Sequence, residues 1–301
     1  MSLRARSGHV LMIGAAVLWG TVGLVVLRLH DDAGLSATQI ACLRSVVAAL
    51  ALGAGLAALA RRTTAGAGTT RARPGRGLVV AIGAGTAAFQ TLYFAAVPMV
   101  GVAVATLLGL GLAPLFVAAG ETLLLGVRHS RRVGLAVGAS VAGLALLVAP
   151  GGTAGDGPWL LGCGLAALSA AGYAAVTLLT RARAGAVDTG ALSAGAFAVG
   201  AVLLAPTLAG GDLPADAQSL GLLLYLGLVP SALAYAMFFT ALRTVPATVS
   251  AVAVLLEPVT AALLAWVLIG ERLGTAGLAG GALVLAAVAV AAMDRTVGDV
   301  T

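Results

Sequence analysis

Residues 247–268 read ATVSAVAVLLEPVTAALLAWVL, with a single ionisable side chain, Glu257, near the middle. A run of this length fits the ~20 residues that a helix needs to cross the hydrocarbon core of a bilayer. It shows no charged face that a soluble surface helix would turn to water. Outward from this run the pattern repeats. Comparable apolar stretches lie at 10–27, 38–59, 77–97, 102–126, 133–149, 159–179, 189–208, 219–242 and 273–293. With 247–268 they make ten expected spans. The third and fourth are separated only by Pro98 to Gly101.

The whole composition agrees. Of 301 residues, 60% are hydrophobic and 9% charged, against about a quarter charged in soluble domains. Lipid requires every backbone polar group to be bonded internally, which helices achieve. The expected fold class is therefore all-α, integral to the membrane. The net charge is +6, and every basic residue is Arg. These arginines sit in short loops rather than on an aromatic-interleaved face, so the basic balance points to membrane orientation and not to nucleic acid. Cys42 and Cys163 lie inside apolar runs, where small-residue packing explains them better than a disulfide or a metal site. The N-terminal run follows Arg4 and Arg6 but exceeds the ~7–15 residues of a signal core, so it reads as the first span.

Arginine placement sets an orientation. With the N-terminus in the cytoplasm, all arginines except Arg28, Arg44 and Arg272 fall at inward loops or ends. Asp31, Asp32, Asp156, Asp212, Asp216 and Glu271 fall outward. Both termini are then cytoplasmic, and the expected location is the inner (plasma) membrane. Residues 61–76 read as a flexible inward loop. The Gly- and Pro-rich stretch 150–158 divides five spans from five. The halves also share residues in order. Phe94 to Val97 parallels Phe239 to Leu242, Pro114 parallels Pro258, Gly126-Val127-Arg128 parallels Gly270-Glu271-Arg272, and Gly134 and Gly138 parallel Gly277 and Gly281. An odd number of spans per half places the second half upside down. The expectation is an inverted repeat of residues 1–150 and 158–293, with a cytoplasmic tail 294–301. Inverted repeats are a frequent plan of secondary transporters.

These pieces resemble the drug/metabolite transporters of the EamA type. The resemblance is carried by Leu18-Trp19-Gly20-Thr21, Leu43-Arg44, the paralleled third spans, and above all Leu256-Glu257-Pro258-Val259 followed by Gly270-Glu271-Arg272-Leu273. It extends from the first span to the last. The chain departs from the pattern at Val127, where the family often has Glu, and at Ala113, opposite Glu257 in the second half. The resemblance implies a ten-helix fold, termini inside, and a central cavity, with many kinds of metabolite as cargo.

Charge within a span is costly and asks for a reason. Arg44 either binds a substrate carboxylate, pairs with Glu257, or snorkels to the outer interface. Glu121, near the inward end of the fourth span, reads as a headgroup-zone acid paired with Arg128 or Arg131. Glu257 precedes Pro258, which removes a backbone bond and favours a kink; it serves either a substrate amine, a proton, or core packing. Polar and aromatic stripes add to these. Gln90, Tyr93 and Phe94 share a face at helical spacing. Ser169, Tyr173 and Thr177 form a second stripe, and Ser231 and Tyr235 a third. Ser250 lies seven residues before Glu257 and so on its face. Taken singly these residues suit interhelical packing, whereas together they suit a shared cavity. The candidate substrate-binding residues are Trp19, Arg44, Gln90, Tyr93, Tyr173, Tyr235, Ser250 and Glu257. The motifs at Gly134/Gly138 and Gly277/Gly281 read as close helix packing, within the fold or in a homo-oligomer.

The functional expectation is an exporter of small metabolites or amino acids by alternating access. Uptake, and a non-transporting membrane subunit, stand as alternatives. No nucleophile–base pair, aspartyl pair or ligand cluster within the spans supports an enzyme, and no cofactor is expected. The partners expected are a small-molecule substrate and the lipid bilayer.

Overall fold

A computed structural model describes residues 3–62, 71–148, 158–209, 213–214, 216–269 and 274–293. Among them, nine helices are long and apolar enough to cross a membrane. They are Ser7–Ala33, Ala37–Ala58, Arg76–Gly101, Val104–Leu125, Trp159–Arg183, Thr189–Leu208, Ala217–Ala241, Ala247–Leu268 and Thr275–Met293. The remaining expected span is the helix Arg131–Val148. It spends its first turn on Arg131 and Arg132, so its apolar length is the shortest. It packs along Thr275–Met293 and stands fifth in the order. Spans are numbered one to ten on that basis. The stretch 150–157, Asp212, Glu271, Arg272 and the tail 294–301 lie outside the described residues.

Several spans are interrupted, and the interruptions have local causes. Span one breaks at Gly20–Thr21, between helices Leu3–Trp19 and Val22–Ala33. The Thr21 hydroxyl donates to the Leu18 carbonyl at 2.7 Å and competes with the helix ladder. Span nine breaks at Leu255, ψ −2°, between helices Ala247–Val254 and Leu256–Ile269. Pro258, in the first turn of the second piece, cannot supply the N–H that a continuous helix would need. Span four bends likewise at Leu112, ahead of Pro114. Span eight passes through a π-helical turn, Gly227–Leu233, that contains Pro230. The break between spans three and four is narrower than expected. The helix runs through Pro98, and the chain turns at Gly101 alone, whose φ of 79° lies in the region that suits glycine.

Helix starts in the second half carry acids. Asp188 accepts from the Gly190 and Ala191 N–H groups ahead of span seven. Asp216 accepts from the Ser219 N–H ahead of span eight, and this bond holds its carboxyl below the usual carboxylate range. The loop 61–76 is anchored near its end: Ala72 bridges to Val187, and the Asp188 N–H donates to the Ala72 carbonyl at 3.0 Å.

Span contacts follow a two-fold rule. Span three packs on six, one on eight, two on seven, four on nine, and five on ten. Exchanging the halves, one for six through five for ten, returns the same set of pairs. The five–ten crossing is a glycine contact. A Cβ on Gly280 would fall 2.5 Å from the Gly143 carbonyl and the Leu147 nitrogen. The close approach therefore uses Gly143 and Gly280 and not the predicted pairs. Gly134 and Gly138 meet nothing within 4 Å.

Candidate functional site

The broken helices surround a cavity of about 600 Å³. Span one reaches it at its break because Gly20 lets the backbone approach span nine closely. A Cβ there would lie 2.7 Å from the Glu257 carbonyl. The break after Leu255 starts a new helix at Leu256, and so places Glu257 in a first turn facing the void. Small residues Ala261 and Ala265 follow one and two turns later on the same face and leave room beside it.

Seven of the eight predicted residues line this cavity: Trp19, Arg44, Gln90, Tyr93, Tyr173, Tyr235 and Glu257. Arg44 is buried and donates from its guanidinium to the Gln90 side-chain oxygen. The Gln90 amide in turn donates to the Thr86 carbonyl at 3.2 Å, which fixes the order of its two ends. Arg44 therefore points inward and does not snorkel. Among the described residues it forms no ion pair with Glu257, although the two charges lie within electrostatic reach. The Trp19 indole N–H donates to the Pro230 carbonyl at 2.8 Å, which ties span one to the π-helical turn of span eight. The Trp19 and Tyr235 rings meet edge-on at 4.9 Å, and Phe89 and Tyr173 at 5.6 Å. The Tyr93 hydroxyl meets the Thr106 hydroxyl at 2.8 Å.

Ser250 is the exception. It is fully buried, and its hydroxyl donates to the Pro246 carbonyl of its own helix. The seven-residue register to Glu257 assumes a continuous helix, and the break at Leu255 cancels it. Ser231, on a predicted stripe with Tyr235, is likewise buried away from the cavity. Ser169 lines the cavity and donates to the Phe89 carbonyl at 2.7 Å. Phe89 and Thr106 are lining residues that the sequence reading missed. The signal for Phe89 is its position one residue before Gln90 and one turn before Tyr93; Thr106 carries none.

Glu121 corrects another expectation. Its carboxylate pairs with no arginine among the described residues. It accepts from the Ala247 N–H at 2.8 Å, the Thr248 N–H at 3.0 Å and the Thr248 hydroxyl at 2.6 Å. It thus caps the start of span nine from span four, with the His129 ring nitrogen 3.8 Å away. It lies apart from the cavity.

The site joins one guanidinium, one carboxylate, aromatic faces and no cluster of three metal-ligating side chains among the described residues. That set can bind and orient a small polar or zwitterionic solute. Comparison with known proteins agrees with the architecture. The profile of the EamA-like transporter family matches residues 6–149 and again residues 160–293. A Bacillus subtilis (strain 168) protein described as the uncharacterized transporter YwfM is 30% identical over 201 residues, which are 66% of this chain and 67% of that protein. A solved crystal structure shares the fold at 22% identity, with a TM-score of 0.80 over 95% of this chain and 96% of the other.

Proposed function

The chain belongs to the EamA-like transporter family, and we propose that it exports small metabolites or amino acids by alternating access. The family makes it a multi-pass membrane transporter rather than an enzyme. The observation that carries the finer reading is the separation of Arg44 from Glu257 across one aromatic-walled cavity. Two opposite charges that share a low-dielectric cavity without closing on each other suit a solute that bridges them. A carboxylate would meet Arg44, steadied by Gln90. An ammonium group would meet Glu257, and the rings of Trp19, Tyr93, Tyr173 and Tyr235 would cover the remainder. Such a pairing offsets part of the cost of holding charge within the membrane.

Alternating access in this reading rests on an inverted repeat of residues 1–150 and 158–293. The contact pattern that survives exchange of the halves supports it, as do two matches to one family profile. The arginine distribution supports cytoplasmic termini in the inner membrane. The cavity reaches Gly274 and Val26, at the end away from the start of span one, which in this reading is the outward-facing state. Thermal-shift screening of amino acids on purified protein tests the reading first, since a ligand of the folded state raises the apparent melting temperature. Flux of each hit from loaded proteoliposomes tests it second. Saturable flux that Glu257→Gln and Arg44→Gln both weaken is the expected result. Stabilising ligands with no flux would turn the reading to a non-transporting receptor.

A further inference from the structure

We infer that Glu121 is the latch that holds the cavity closed on the side of the chain's N-terminus, a role that rests on the transporter reading above. Three observations carry it. The first is geometry. Glu121 is 2% exposed, and both its carboxylate oxygens are bound to the first residues of span nine across 126 residues of sequence. The contact joins the two halves of the molecule. It lies at the end where span one begins, since Gly8 packs against Thr244 and Val245 just before span nine. Met12, Phe238, Leu242, Val245 and Val249 belong to one buried apolar cluster, and none of them lines the cavity.

The second is the counterpart in the other half. The parallel of Pro114 with Pro258, and of Gly126 with Gly270, sets Ala265 opposite Glu121 and Val104 opposite Thr248. There neither the acid nor the hydroxyl exists, and Ala265 lines the open cavity. The same junction is therefore closed where the carboxylate is present and open where it is absent. The third is a row of hydroxyls with no use in the closed state. Thr177 and Thr180 continue the stripe of Ser169 and Tyr173 along span six, past the floor of the cavity. Both are fully buried, and neither hydroxyl completes a hydrogen bond, although Thr177 comes near the Tyr173 hydroxyl. Unpartnered buried polar groups in a native structure call for an explanation. Span six packs on span four beside the latch, where Leu178 meets Gly120, so opening that junction would bring water to both threonines. They are the lining of the opposite-facing path. The ionisable groups that face Glu121 are His129, on the loop after span four, and Arg181, on span six.

The test is sided cysteine labelling in the full-length protein with Cys42→Ala and Cys163→Ala. Reporters are Thr177→Cys and Thr180→Cys, probed with a membrane-impermeant thiol reagent from the terminus side of oriented vesicles. Adding Glu121→Gln or Thr248→Val should raise the labelling rate about tenfold, the population shift expected from losing one charge-assisted hydrogen bond. An Ala265→Cys reporter should label more slowly from the opposite side. Thr248→Val removes a single bond and keeps the test readable if Glu121→Gln fails to fold. Unchanged labelling of both threonine positions in either folded variant would overturn the latch. Labelling needs no substrate, so a failure to find transport does not alter what the labelling rates say, and intact flux with unchanged labelling counts against the latch alone.

Discussion

Gly20 and Glu257 meet at a close approach of spans one and nine. A Cβ on Gly20 would fall 2.4 Å from Thr260 Cβ and 2.7 Å from the Glu257 carbonyl, and backbone cannot step aside as a flexible side chain can. Gly20→Ala should therefore cost about 1–3 kcal/mol, the usual range for overpacking, and a lowered apparent melting temperature in detergent would register it. Glu257→Gln should act differently. It preserves volume, so folding and expression should stay near wild type, while substrate binding weakens about tenfold or more through the lost charged partner. Unchanged affinity and flux across pH would make Glu257 a packing acid and shift the functional weight to Arg44. Most of this site was legible in the sequence for a physical reason. A charge in an apolar run, or aromatics at helical spacing, stands out because lipid tolerates neither without a purpose. Glu121 was not legible, because its partners are two backbone N–H groups, which leave no trace in side-chain identity, and one hydroxyl, Thr248, on a helix 127 residues away. Ser250 was misplaced because helical register carries across seven residues only where the helix is unbroken.

Span nine shows how an element turns local chemistry into a site. Its two pieces, Ala247–Val254 and Leu256–Ile269, meet at Leu255, and Pro258 keeps them from joining. The kink was predictable from the Glu-Pro pair, and its place was not, since Leu255 has no marker of its own. Pro258→Ala would let the Val254 carbonyl regain an N–H partner and straighten the span. The expected result is retained stability with Glu257 turned from the cavity, read as loss of ligand-induced thermal shift without loss of the unliganded melting temperature. The five–ten crossing is the opposite case, an element contact with no tolerance. Gly143 and Gly280 approach backbone to backbone, so Gly280→Leu should separate the two helices and abolish monodisperse protein on gel filtration. Gly134→Leu, which meets open space, should be accepted by the monomer. The sequence contains both kinds of glycine at similar spacing. Which of them touches a partner depends on how the helices are rotated, and composition alone does not hold that information.

At the scale of the whole molecule, the arrangement depends on which side each loop occupies. Ten helices in alternation place the loop after span one and the loop after span six on opposite sides. Ser36 and Gly185 mark these loops, and both are exposed. The proposed assignment of sides follows arginine density: Arg181 and Arg183 adjoin Gly185, whereas Asp31 and Asp32 lie near Ser36. If span five did not cross, spans six to ten would keep their internal order but reverse their sense. Gly185 would then share a side with Ser36, and the halves would be related by an axis along the membrane normal instead of one in its plane. That alternative removes the inverted relation from which the proposed exchange of an open face for a closed one is argued, since two copies related by an axis in the membrane plane can swap their shapes. The choice turns on span five, the shortest of the ten and the one that begins with two arginines. Its glycine-tight packing along span ten, which is apolar throughout, argues that it crosses. Ser36→Cys and Gly185→Cys, each in a background free of Cys42 and Cys163, decide the matter. An impermeant thiol reagent added to intact cells should label Ser36→Cys and leave Gly185→Cys unlabelled until the membrane is opened. Labelling of both from outside would remove span five from the membrane and, with it, the inverted repeat on which the proposed alternating access rests.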